Sequence, residues 1–253
     1  MKTIGVIPAR YESSRFPGKP LADICGKPMI WWVYQQCKKV KELDEVYVAT
    51  DSNKIEAACK DLNINVVMTS DKHRTGTDRV GEVARKVPAD LIVNIQGDEP
   101  FIHPSQLSSI MSCFDDSDTD IATLIRPFRG VDYQSLENPN SVKVVVDAQM
   151  RAHYFSRSVI PYIRGVERQL WPSRHQYYTH IGLYAYRANV LREITQLPQS
   201  SLEIAESLEQ LRWLENGYTI KTAISEVQTI GIDTPEDLAR AEKELSDHFA
   251  SLM

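Results

Sequence analysis

Three cations, Arg10, Arg15 and Lys19, crowd the stretch PARYESSRFPGKPL, which is broken by Pro17 and Gly18 and follows the apolar run KTIGVI. A tight turn needs a proline or glycine, but it needs no cation. Backbone N–H groups freed by such a turn donate to anionic oxygens while the cations neutralise them, which suits a triphosphate. A solvated loop with helix-capping duties has the same composition. The spacing is neither GxxxxGK followed by Ser or Thr nor GxGxxG, so those two nucleotide-binding modes are disfavoured. A second cluster, QGDEP at Gln96–Pro100, follows the apolar run LIVNI. Asp98 there suits a divalent cation that bridges phosphates, since Mg²⁺ needs only one or two carboxylates beside phosphate oxygens. An acidic turn before a helix is the plainer reading, and it fits Glu99 better than Asp98. Asp233, in GIDTPEDL, is a second candidate metal ligand, with helix capping before Thr234-Pro235 as its alternative.

HRTGTDR, from His73 to Arg79, places Arg74 beside a Thr-Gly-Thr turn. Hydroxyls, close backbone approach at a glycine and a guanidinium together suit a pyrimidine edge or a ribose. His180, in YYTHIGLYAYR, alternates with Ile181 and Leu183, so it shares a strand face with Tyr184 and either lines a cleft or sits as a satisfied core histidine. Glu206 and Glu209 read as solvated helix charges.

The elements that must hold these groups alternate through the first half of the chain. KTIGVI, EVYVAT, INVVMT and ADLIVNI read as apolar strands. PMIWWVYQQCKKV, SNKIEAACKDL (capped by Ser52 or Asp51) and a segment from about Asp78 to Val87 read as helices. This pattern specifies an α/β fold, a mostly parallel central sheet with helices on both faces. Ligands of such sheets bind beyond the carboxyl ends of the strands, where all the polar stretches above fall. We expect a single domain over 1–253. Within it, residues from about 120 to 190 form an antiparallel excursion with long loops, suited to a substrate lobe or a dimer contact. SLEIAESLEQLRWLENG reads as one amphipathic helix with Leu202, Ala205, Leu208 and Leu211 inward and Gly217 at its end.

Composition excludes several classes. A formal net charge of −5 repels nucleic acid and anionic lipid alike. No apolar run is long enough to span a bilayer, and the first residues carry no secretory pattern, so the expected location is cytoplasmic. The four cysteines, Cys25, Cys37, Cys59 and Cys113, form no CxxC pair and read as reduced thiols, Cys37 and Cys59 as core fillers.

The blocks IPARYESSRFPGKPL, VATD, TGTDR, NIQGDEP, NPNSVKVVVD, YFSRSVIPY, HIGLYAYR, SLEIAESLEQLRWLENG and GIDTPEDL resemble, in order and across almost the whole chain, the 3-deoxy-manno-octulosonate cytidylyltransferase (CMP-Kdo synthetase) family. Some blocks are shared with CMP-sialate synthetases, whereas SRSVIPY, HIGLYAYR and LEQLR separate the octulosonate branch. The resemblance implies a nucleotidyltransferase fold in which Arg10, Ser14, Arg15 and Lys19 contact the CTP phosphates and Arg74, Thr75 and Thr77 the cytidine. It implies that Gln96, His180, Tyr184 and Glu209 line the sugar pocket with Arg157 nearby, and that Asp98 and Asp233 hold Mg²⁺. It also implies a homodimer and the activation of Kdo, or of its 8-amino-3,8-dideoxy analogue, for lipopolysaccharide assembly. Phe16, Phe101, Ala185 and Gln199 depart from the family's usual residues. A CMP-sialate synthetase and a catalytically silent nucleotide-binding protein are the alternatives.

Overall fold

The structure is a computed structural model that describes residues 1–12, 16–130, 132–227, 231, 232, 234, 236–240, 242 and 243. The chain divides into two compact units, Met1–Ser108 with Val227–Met253, and Ser109–Glu226. The expected excursion at about 120–190 lies within the second.

In the first unit β1 (Thr3–Ala9) is apolar along its length and nearly all buried, the signature of a strand covered on both faces. A two-residue hairpin follows, β2 (Asp23–Ile24) and β3 (Lys27–Pro28), whose turn residues Cys25 and Gly26 both have positive φ, 50° and 81°. Helix α1 (Met29–Lys38) turns Met29, Ile30, Val33, Tyr34 and Cys37 inward, one apolar stripe at helical spacing. Strand β4 (Glu45–Thr50), helix α2 (Asn53–Asp61), strand β5 (Val66–Met68), helix α3 (Gly76–Lys86) and strand β6 (Leu91–Asn94) continue the alternation. The strands run parallel in the order β6-β1-β4-β5, so the α/β class read from the sequence is the one that forms. Ser52 does stand at the N-cap of α2, yet its side chain makes no cap bond, and Asp51 is drawn instead to Arg79. Helix α3 begins two residues earlier than expected because Thr75 and Asp78 form a capping box: Asp78 N donates to Thr75 Oγ1 (3.1 Å) and Thr75 N to Asp78 Oδ2 (3.2 Å). A second box ties Thr234 to Asp237, as the IDTPEDL pattern requires.

Helix α4 (Pro104–Ser112) leads in sequence to the second unit. There β7 (Ile121–Pro127) is followed by α5 (Tyr133–Glu137), β8 (Lys143–Val146), β9 (Ala152–Ser156), α6 (Trp171–Arg174), β10 (Tyr178–Arg187), α7 (Ala188–Ile194), α8 (Ser201–Glu206), α9 (Glu209–Glu215) and β11 (Ile220–Ile224). Strand β7 pairs antiparallel with β10 and parallel with β11, while β8 pairs antiparallel with β9 and with the start of β10. The irregular stretch before β10 is not bare loop: Trp171 and Tyr177 bury themselves with Leu136 in a small core of their own.

One expectation fails here. The stretch 201–217 is two helices, not one, because Ser207 adopts the left-handed conformation (φ 52°, ψ 48°) and ends α8. Glu203, not Ala205, is buried on α8, and it meets the buried Arg212 of α9 at 3.3 Å. Glu206 is not a solvated helix charge either, since its carboxylate accepts from Ser156 Oγ (2.6 Å) and Arg157 N (2.9 Å). Apolar periodicity cannot register a single residue whose backbone changes hand.

Candidate functional site

The first group of site residues gathers beyond the carboxyl ends of β1, β4 and β6. After β1 the chain folds back so that Gly18 N donates to Tyr11 O at 2.8 Å, a turn that needs φ +72° at residue 18 and therefore glycine. The turn delivers Lys19, whose Nζ lies 2.7 Å from Asp98 Oδ2. Asp98 stands on the QGDEP corner after β6, and that corner reaches its place only because residue 97 has no side chain. A Cβ there would meet the carbonyl oxygen of Pro8 at 2.9 Å. Sequence reasoning thus named a loop cation and a metal-type carboxylate far apart in the chain, and the fold brings the two into contact.

Arg10, at the end of β1, donates from Nη2 to the carbonyls of His73 (2.5 Å) and Thr75 (3.4 Å). The loop carrying Arg74 and Thr75 is thereby tied to the base of the cation loop. Arg74 is exposed, while Thr77 is buried in the first turn of α3. A carboxylate anchors the same loop. Burial acts to raise the Glu82 pKa, but hydrogen bonds from Lys86, Ser70 N and His73 win and hold it down at about 2.

An open cleft of about 1060 Å³ lies here, lined by Arg10, Tyr11, Asp51 and Lys54 among others, large enough for a nucleotide. The Lys54 ammonium stands over the Tyr11 ring at 4.3 Å. Asp51 is held by the fully buried Arg79, Nη2 to Oδ2 at 2.7 Å, and Arg79 Nη1 donates to Thr69 Oγ1 at 2.5 Å. Tyr11, Lys54 and Arg79 escaped assignment from the sequence, and Asp51 was read there only as a possible helix cap. The position of ATD directly after a strand was the only signal for Asp51, and nothing local marked Arg79 as its partner.

Ile232 N donates to the carbonyl of Asp98 at 2.9 Å, and the Ile232 side chain is fully buried with Ile24 and Met29. Ser14, Arg15 and Asp233 lie outside the described residues. Among the described residues no three His, Cys, Asp or Glu side chains cluster in a way that could hold a metal ion. Asp98 by itself is chemically suited to one: a hard carboxylate, about one-third exposed, with Lys19 engaged at Oδ2.

The second unit carries the other group. His180 and Tyr184 share a face of β10, with ring centroids 5.3 Å apart, and Phe155 meets His180 edge-on at 5.2 Å. A bulge between Ile181 and Tyr184 lets both neighbours of the bulge register on consecutive residues of β7. Thr123 of β7 closes it. Its hydroxyl donates to Leu183 O (2.8 Å), with Ile181 O at 3.2 Å, and so can only accept from His180 Nε2 at 2.9 Å. That network puts a proton on Nε2, which in the neutral ring leaves Nδ1 bare. Withdrawal from water agrees, pushing the His180 pKa down to about 3 and that of Tyr184 well above its ordinary value. Glu209 opens α9 and accepts from Arg212 Nη2 at 2.8 Å. Arg157 follows β9, with its guanidinium on main-chain carbonyls. Gln96, the remaining residue expected to line the sugar pocket, precedes Asp98 in the first unit.

Comparison with known proteins adds the chemical setting. A family model described as cytidylyltransferase matches residues 4–224. The chain is 63% identical over 245 residues to 3-deoxy-manno-octulosonate cytidylyltransferase of Parabacteroides distasonis, covering 95% of this chain and 97% of that protein. It is 57% identical over 250 residues to the protein of the same name from Bacteroides thetaiotaomicron, covering 98% and 99%. A solved structure of CMP:2-keto-3-deoxy-manno-octonic acid synthetase complexed with CTP superposes with a TM-score of 0.90 at 42% identity, over 98% of this chain and all of that one.

Proposed function

The chain belongs to the 3-deoxy-manno-octulosonate cytidylyltransferase family, and from that premise we propose that it transfers the cytidylyl group of CTP to an octulosonate sugar acid. The anomeric 2-hydroxyl attacks the α-phosphorus, a C–O–P link forms, and the bond to the β-phosphate breaks to release pyrophosphate. The acceptor is Kdo or its 8-amino analogue, and the product feeds lipopolysaccharide assembly. The observation that carries this reading is the 2.7 Å contact between Lys19 and Asp98, which joins the cation loop to the carboxylate corner at one point.

Such a transfer asks for positioning and charge neutralisation more than for covalent chemistry. Lys19, with Arg10 and Arg15, binds the phosphates and stabilises charge on the departing pyrophosphate. Arg74, Thr75, Thr77 and the backbone around Gly76 hold the cytidine, while Ser14 adds a hydroxyl to the phosphate loop. His180, neutral with Nε2 given to Thr123, offers its Nδ1 lone pair to a sugar hydroxyl beside Tyr184 and Glu209, and Gln96 contributes an amide. Asp98 and Asp233 are the residues to hold Mg²⁺. When bound, that ion supplies neutralisation of phosphate charge and a lower pKa for the attacking hydroxyl. The second unit, with Tyr162 69% exposed and stacked edge-on against Trp171, is the face through which two copies pair.

The test is pyrophosphate release from CTP with each sugar acid in turn, offered with and without Mg²⁺. Asp98→Asn should lower turnover on the order of a hundredfold or more, the size of a lost transition-state electrostatic contact. Near-normal turnover in that variant removes Asp98 from the site. Side-by-side kinetics with Kdo and the 8-amino compound assign the C8 group.

A further inference from the structure

The joint between α8 and α9 is held from outside. Ser207 lies in the left-handed region, which favours glycine, so the break is not one that this residue prefers by itself. Its neighbours are clasped to the end of β9 in both directions. The Glu206 carboxylate takes Ser156 Oγ at 2.6 Å and Arg157 N at 2.9 Å. The Arg157 guanidinium returns Nε to Glu206 O at 2.7 Å and Nη2 to Ser207 O at 3.4 Å. Its Nη1 reaches Pro139 O at 3.0 Å. The main chain of residue 157 thus binds the side chain of 206, and the side chain of 157 binds the main chain of 206. Glu209 opens α9 immediately after this joint, with Arg212 at its carboxylate.

We propose that Arg157 and Glu206 are positioning residues for the sugar acid: their clasp fixes the break at Ser207, and the break fixes where Glu209 stands. The proposal rests on the reading above that Glu209 serves the sugar. Each guanidinium nitrogen of Arg157 is directed at a carbonyl, so Arg157 acts through the main chain rather than on the substrate.

Steady-state kinetics with CTP and the octulosonate varied separately test this. Arg157→Ala should raise KM for the sugar on the order of tenfold or more, with KM for CTP and the thermal midpoint little changed. Glu206→Gln, a milder change that keeps an amide in place of the carboxylate, should move the same constant in the same direction. The decisive arm is rescue. Adding Ser207→Gly to Arg157→Ala should restore most of the sugar KM, because glycine takes the left-handed turn without a clasp. Ser207→Gly alone should leave both constants near wild type. If the double variant is no better than Arg157→Ala, Arg157 touches the sugar directly and the positioning role is wrong. An unchanged sugar KM in both Arg157→Ala and Glu206→Gln overturns it as well. Glu209→Ala separates the two levels: an unchanged sugar KM there removes the functional reading beneath the proposal, whatever the clasp variants do.

Discussion

Lys19 and Asp98 neutralise each other in the structure, and a nucleotide entering the loop would compete with Asp98 for the ammonium. Lys19→Met keeps most of the side-chain volume but removes the charge. A hydrogen bond to a charged group contributes about 1.5–3 kcal/mol, so kcat/KM for CTP should fall roughly tenfold to a hundredfold, read by initial rates at low CTP. Unchanged CTP kinetics would dismiss the phosphate role. His180 gives a prediction of the opposite kind. Its folded pKa of about 3 lies below the ordinary 6.5, so between those values the unfolded chain binds a proton that the folded chain refuses. Its burial therefore costs nothing above about pH 6.5 and destabilises the fold increasingly as pH falls towards 3. Urea midpoints of the protein and of His180→Asn, compared from pH 4 to 7, should show a shallower pH slope in the variant. Equal slopes would mean the ring is not withdrawn from water. What the sequence could say of such residues was their type and their place on a strand or just after one. Their partners were hidden, since Thr123 on His180 and Arg79 on Asp51 are contacts made only by the folded sheet.

Elements were readable wherever one physical rule dominated. The buried strand β1 and the apolar stripe of α1 announce themselves by composition and period, and the Thr-Pro helix start by its capping residues. The α8–α9 stretch misled because burial there is not simply apolar: Glu203 and Arg212 go inside as a pair, and the turn at Ser207 is imposed by β9. A local pattern carries no trace of a carboxylate fifty residues from its donor. The tips of β1 and β6 give the test at this level. Gly97→Ala sets a methyl group against the Pro8 carbonyl, backbone against side chain, and the corner must shift. Overpacking of this kind costs about 1–3 kcal/mol. The expected outcome is a lower denaturant midpoint together with weakened turnover, since the displaced corner bears Asp98. A variant with full stability and full turnover would show that the corner has room.

For the molecule as a whole, no helix among the described residues is long and apolar enough to cross a membrane, in line with the charge and hydropathy of the sequence. All four cysteines are free, and burial pushes the Cys37 thiol up to about 12 and those of Cys59 and Cys113 to about 11, so these three fill space rather than react. Exposed Tyr162 and Leu170 beside Trp171 form an apolar surface in the second unit, the one on which the proposed pairing of two copies would rest. Sedimentation should give a dimer for the protein and a shift toward monomer for Tyr162→Glu. A monomer at every concentration, or a dimer indifferent to that charge, removes this surface from the contact. The connectivity of the first unit has a last consequence. Its cluster of Ile24 and Met29 is completed by Ile232, whose N–H also seals the Asp98 carbonyl. A ribosome making this chain delivers the strands of this unit long before Ile232, the piece that closes its cluster. The carboxylate corner is thus closed only once Ile232 has been made, and a nascent chain halted between the two carries the strands of this unit with an open seam beside Asp98.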